Sequence, residues 1–148
     1  MKISKRTVFI AACALLLITV AMLSVGLSGG TKMIKAEDEA ARLEYIRELG
    51  YTAKDEPPVI KNIVIPSVFT DVYENYNLLQ IESGFDLSPY KGEYAVTYTY
   101  KISDYPDDSG GFSDNVQLTL ILWNNHIVGG DIASTELDGF MTGLSGGG

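Results

Sequence analysis

The hydrophobic pattern changes character several times along the chain. From Val8 to Leu27 (VFIAACALLLITVAMLSVGL) the run is apolar and uncharged. As a helix it is about 30 Å long, the thickness of a bilayer's hydrocarbon core. Lys2, Lys5 and Arg6 stand just before it. The pattern predicts a short cytoplasmic segment (1–6) and a transmembrane helix (7–27), with the chain leaving the membrane outward because positive charge stays inside. Two readings fit. One is a retained signal anchor, favoured by length, since a cleaved signal has an apolar core of roughly 7–15 residues. The other is a cleaved, secreted form, for which Ser24-Val25-Gly26 offers small residues. Ile10-Ala11-Ala12-Cys13 has the look of a lipoprotein box, but it lies too close to Arg6 and most of the apolar run follows the cysteine.

Residues 28–36 (SGGTKMIKA) lack any period and read as a tether. Helical spacing resumes in residues 37–49, where Ala36, Ala40, Leu43, Ile46 and Leu49 form a stripe, Glu37, Asp38 and Glu39 suit the first turn, and Gly50 marks the stop. Residues 59–65 are rich in β-branched residues and bounded by prolines, which predicts a strand at a sheet edge. A second helix is expected over 70–83, capped by Thr70, burying Val72, Tyr73, Tyr76, Leu79 and Gln80, and ended by Gly84. Then the period falls to two. In residues 93–102, Tyr94, Val96, Tyr98, Tyr100 and Ile102 share one face; residues 115–123 alternate likewise. Asn124-Asn125 signals a tight turn into a returning strand over 127–133. Gly129-Gly130 within that strand suggests a bulge or a close backbone approach. Residues 103–114 read as a long polar loop, 138–141 as a last turn, and 142–148 as a glycine-rich tail.

These elements predict an α+β fold. The transmembrane helix is followed by an extracytoplasmic domain (37–141) in which two helices pack on a roughly four-stranded, mainly antiparallel sheet ending in a β-meander. Composition narrows the function classes. The chain carries 11 Lys and Arg against 19 Asp and Glu. With Lys2, Lys5 and Arg6 on the inner side, the outer part holds eight cations and all 19 acids, a formal charge of −11. Such a surface repels nucleic acid. The single cysteine, Cys13, lies in the apolar run, so the outer domain has neither a disulfide nor a thiol nucleophile.

The order of these features carries a resemblance. A helix ends in Leu49-Gly50-Tyr51, and a strand ends in Ile65-Pro66. The run FTDVYENYNLLQIESGFDLSPYKG follows from Phe69 to Gly92. Tyr98-Thr99-Tyr100, Asp104-Tyr105-Pro106, Val128-Gly129-Gly130-Asp131-Ile132 and Leu137-Asp138-Gly139-Phe140-Met141 come after it. Over most of residues 37–144 this resembles the uncharacterised bacterial family known as domain of unknown function 4830. The resemblance implies a membrane segment followed by a small outer domain. It brings no activity, cofactor or site residue.

Little catalytic chemistry is legible. A Ser-His-Asp site would have to use His126, which stands beside a predicted turn, and a zinc site would need three carboxylate-type ligands around it. Asp104, Asp107, Asp108 and Asp114 are the calcium candidates, although their spacing departs from the EF-hand pattern. A glycosidase would need two carboxylates facing across a cleft, for which two helices and a sheet leave little material. No cofactor is expected. The binding candidates are Tyr94, Tyr98 and Tyr100, whose amphipathic rings suit sugar or protein contact, with Gly129, Gly130 and Asp131 in the closing strand. The competing expectation is that helix 70–83 packs on that strand face and buries the rings. The sequence favours a membrane-tethered module of the envelope that binds a protein. Binding of cell-wall polymer through surface tyrosines and an enzyme of unrecognised type are the alternatives.

Overall fold

The computed structural model describes residues 31–107 and 109–145. The expected transmembrane helix lies outside the described residues; among those described, no helix is long and apolar enough to cross a membrane. Thr31–Gly148 forms a compact unit of its own, and both of its core clusters are built wholly from residues within it. This stretch therefore carries what it needs to fold by itself.

The fold is α+β, with two helices and a predominantly antiparallel sheet. Strand β1 (Ile34–Lys35) precedes helix α1 (Glu39–Glu48), strand β2 (Val59–Val64) and helix α2 (Asp71–Glu82). Then come β3 (Tyr94–Lys101), β4 (Tyr105–Pro106), β5 (Phe112–Ser113), β6 (Val116–Trp123), β7 (His126–Ser134) and β8 (Met141–Gly143). The main sheet runs β1-β7-β6-β3-β2, and β8 also pairs with β7. It has six strands where the pattern suggested about four, because β1 and β8 are too short to show a period. β2 is the edge strand, as its flanking prolines imply, and β3, β6 and β7 make the expected meander.

Local chemistry explains where the helices begin and end. Asp38 caps α1 by accepting from the Ala41 N–H at 2.8 Å. At the other end, Gly50 takes φ +90° and Tyr51 N–H returns to the Ile46 carbonyl at 3.1 Å. The same motif ends α2: Gly84 takes φ +84°, and Phe85 N–H reaches the Gln80 carbonyl at 2.9 Å. Asn124 and Asn125 both adopt positive φ in the β6–β7 turn.

Three expectations are corrected. Residues 31–36 are already tied into the domain. Lys32 N–H donates to Gly84, Ala36 N–H donates to Asn125, and Ala36 is buried. The polar loop at 103–114 contains a hairpin, β4–β5. It is turned by Asp107, whose Oδ1 accepts from the backbone N–H of Ser109 and of Gly111, each at 2.8 Å. The glycine-rich tail holds a strand, β8, and Leu144 behind it lies in the core.

Both faces of the sheet are covered, each by one helix. Residues paired across strands share a face. Tyr100 and Leu118 face α1 with Ile132, in a cluster that includes Tyr45, Ile46 and Phe85. Ala95, Ile121 and Val128 face the other way, toward Phe69, Leu87 and the α2 tyrosines Tyr73 and Tyr76. Helix α2 therefore does not cover Tyr98 and Tyr100; α1 does.

Candidate functional site

The tyrosine row on β3 is graded in exposure from one end to the other. Tyr100 is 2% exposed, Tyr98 is half-buried and Tyr94 is 81% exposed. The gradient follows from where α1 lies. Arg42, Tyr45, Ile46 and Leu49 recur at the spacing that puts them on one side of a helix, and that side meets the sheet. Arg42 donates from Nε to the Tyr100 hydroxyl at 3.0 Å, and its guanidinium carbon sits 3.9 Å from the centre of the Tyr98 ring. Burial pushes the Tyr100 phenol up, and the Arg42 charge opposes that shift. Past the end of α1, Tyr94 lies across from Val64 on β2. Val64 is 52% exposed, and Val59 and Ile60 are exposed on the same strand.

Two grooves flank this face. Tyr94, Tyr98 and Asn62 line one of 340 Å³, together with the turn residues Asn124 and Asn125. The other, of 630 Å³, lies between α1 and the segment 53–60 and includes Arg42, Tyr100, Pro58 and Ile60 in its walls.

Gly129, Gly130 and Asp131 lie under α2. A Cβ on Gly129 would sit 2.7 Å from Gln80 Oε1, and one on Gly130 would collide with the Thr119 carbonyl. The close approach read from the sequence is therefore real, and the register slips between Ile121 and Leu122 opposite, which is the bulge. Gln80 Oε1 accepts the Gly130 N–H at 2.7 Å, at a stretch of the β7 edge that neither β1 nor β8 reaches. Asp131 is 7% exposed and accepts the Tyr76 hydroxyl at 2.7 Å. Burial raises its carboxyl above the ordinary aspartate range, with the Tyr76 hydrogen bond working against it. Burial, followed by the Asp131 charge, pushes the Tyr76 phenol up as well.

The loop aspartates are engaged with separate partners. Asp104 accepts the Thr52 N–H at 2.8 Å, and Asp114 pairs with Lys54 at 2.8 Å. Asp107 is taken up by its own turn, and the Ser109 hydroxyl and the Gly111 N–H hold its carboxyl low. Asp108 lies outside the described residues. Among those described, no three His, Cys, Asp or Glu side chains are grouped to hold a metal. His126 rests in the β6–β7 hairpin with Nδ1 donating to the Asn124 carbonyl at 2.7 Å.

Arg42 and Asn77 are buried polar residues that the hydrophobic pattern passed over, while Gln80 is buried as expected. Asn77 donates to Asp86 at 2.9 Å and accepts the Leu87 N–H at 2.8 Å, locking the turn after α2. Burial opposes ionisation of Asp86, but the hydrogen bonds from Asn77 and Ser88 outweigh it and hold the carboxyl low. One signal was available for both missed residues. In each helix the residues at i, i+3, i+4 and i+7 from the first sheet-facing position (Arg42, Tyr45, Ile46, Leu49; Tyr73, Tyr76, Asn77, Gln80) form a complete stripe once polar members are allowed.

Comparison with curated proteins and with solved structures brings no match. One family model matches, over residues 45–132, more than half of the chain, from the last turn of α1 through α2 and β2–β6 to most of β7. The chain belongs to the family described as Domain of unknown function (DUF4830).

Proposed function

We propose that this chain is a membrane-tethered, extracytoplasmic binding module whose partner is a protein of the bacterial envelope. The observation that carries the reading is the uncovered end of the sheet. Among the described residues β2 pairs only with β3, which leaves its outer backbone groups available to another chain. Val59, Ile60 and Val64 are exposed along it with Tyr94 beside them, and Lys61 is its one charged residue. An unpaired edge with apolar side chains on both faces suits addition of a partner strand, where main-chain bonds give affinity and side-chain contacts give specificity. The membrane tether rests on the uncharged run at residues 8–27 and the cations before it.

The alternatives are less well supported. A polymer-binding platform needs several accessible rings, and of the β3 row only Tyr94 stands fully clear of α1. An enzyme needs convergent groups. His126 and Asp131 lie five positions apart along one strand, roughly 16 Å, and Asp131 is under α2.

The test is crosslinking in intact cells of the native host, with tagged full-length protein and with Val64→Lys and Tyr94→Lys variants at equal expression. Both side chains are exposed, so the variants keep the fold. The expected result is one reproducible partner from the parent protein, lost or strongly depleted in both variants. Recovery of that partner by the variants overturns the β2 edge as the docking surface. Recovery of the protein alone overturns a protein partner.

A further inference from the structure

Arg42 is 8% exposed, yet among the described residues no carboxylate lies within 4.0 Å of its guanidinium. This is unexpected in a domain with 19 acids and eight cations. The side chain is held on two sides, by the Tyr100 hydroxyl on Nε and by the Tyr98 ring against its face. Its two terminal nitrogens have no hydrogen-bond partner in the described protein. Among the described residues no fully buried side-chain nitrogen or oxygen is left without a partner, so these two keep access to solvent, and Arg42 lines the 630 Å³ groove. A buried guanidinium without a counter-ion is unfavourable, and chains retain such features chiefly at functional sites. Here the charge is fixed in orientation by a phenol and a ring, beside the groove that Arg42 lines.

The surroundings select the ligand. A planar fork of two N–H donors matches a carboxylate. Glu39, Asp55 and Glu56 also line the groove, so a second negative charge would be repelled. Lys101 pairs with Glu56 at 3.1 Å and offsets that charge, while Lys54 is paired with Asp114 at 2.8 Å, which leaves the Glu39 and Asp55 charges to repel a second negative charge. Leu43, Pro57, Pro58 and Ile60 supply an apolar wall. The volume lies within the range of small-ligand sites, about 300–1,000 Å³. We propose that the groove between α1 and residues 53–60 binds a singly charged carboxylate ligand. Its carboxylate sits on Arg42 Nη1 and Nη2, and its aliphatic part lies along Pro57, Pro58 and Ile60. Two sources share this chemistry, a peptide C-terminus and an acidic sugar. The groove meets the β2 strand at Ile60 and leaves Val64 and Tyr94 outside its walls, and the proposal does not depend on the docking reading.

The 31–148 fragment is titrated with N-acetyl-alanyl-alanine, with its C-terminal amide, with glucuronate and with inorganic phosphate. Binding is followed by NMR at the Arg42 Nε–H and at Ala53, Tyr98 and Ile60. The expected result is saturable shifts at these positions with at least one carboxylate, weak or absent with phosphate, and absent with the amide. A response to the dipeptide names a chain end as the source, a response to glucuronate names an acidic sugar, and either supports the site. Arg42→Lys keeps the charge and loses the fork, and is expected to weaken binding about tenfold or more. Val64→Lys is expected to leave binding unchanged while abolishing partner capture, which separates this site from the docking surface. Silence toward every carboxylate, equal response to the amide, or tighter binding of phosphate overturns the proposal. The wild-type titration decides the matter even if Arg42→Lys fails to fold.

Discussion

At the scale of single residues, the buried polar groups are what this fold must accommodate. Asp131 is the clearest case. Its carboxyl holds its proton more tightly folded than unfolded, because burial raises its pKa more than the Tyr76 hydroxyl lowers it. A group of this kind adds stability below its unfolded pKa, about 3.9, and loses that contribution as the pH rises through the folded pKa. At pH 7 the ionised form is therefore a burden. Asp131→Asn removes the charge and keeps an acceptor for Tyr76. Its melting temperature is expected to exceed the parent's at pH 7 by a few degrees, at about 4 °C per kcal/mol for a domain of this size, and to converge with it near pH 3. Tyr76→Phe does the reverse, leaving a buried carboxylate without a donor. It is expected to cost about 2 kcal/mol at pH 7 and less in acid, as read by thermal melts across pH. None of this was legible in the sequence. Asp131 stood out only beside the glycine pair, and its partner is 55 residues away in a different element.

Helices and strands were legible in different degrees. Strand periods, the Asn124-Asn125 turn and the glycine helix stops are local signals, and the structure bears them out. The faces of the helices were harder, because both buried stripes contain polar residues. The expected face, weighted toward apolar positions, rotated α2 enough to place Val72 inside, although it is 79% exposed, and to miss Asn77. It also put α2 on the tyrosine face of β3, a position taken by α1 through a residue, Arg42, that apolar patterning discards. Gly129 and Gln80 show how tightly an element pair can depend on such a residue. A methyl on Gly129 would displace Gln80 Oε1 and so release the Gly130 N–H, while Gln80→Ala releases it directly. Each change is expected to cost about 2 kcal/mol in urea unfolding. Because both act on the same hydrogen bond, the double variant should cost clearly less than the sum. Strict additivity would mean that the two residues act separately.

At the scale of the molecule, the two edges of the main sheet differ. The β7 edge is closed in three consecutive pieces: β1 at Ile127 and His126, Gln80 at Gly130, and β8 from Asp131 to Ala133. Among the described residues the β2 edge is left open. A sheet that exposed both edges would pair indiscriminately, so closing one leaves a single face for a chosen partner. This asymmetry was invisible in the sequence, since β1 and β8 together supply only five residues and read as tether and tail. It makes the last residues of the domain structural. Leu144 is 1% exposed in the α1-side core and also presses on Gly130. Leu144→Ala is expected to cost about 3 kcal/mol through the cavity it leaves. Truncation after Phe140 removes β8 and Leu144 together and uncovers part of β7. That form is expected to melt lower and to self-associate in sedimentation, whereas truncation after Ser145 should change neither property. If the shorter form stays monomeric with an unchanged melting point, β8 does not guard that edge, and the contrast between a closed edge and an open one no longer supports β2 as the docking strand.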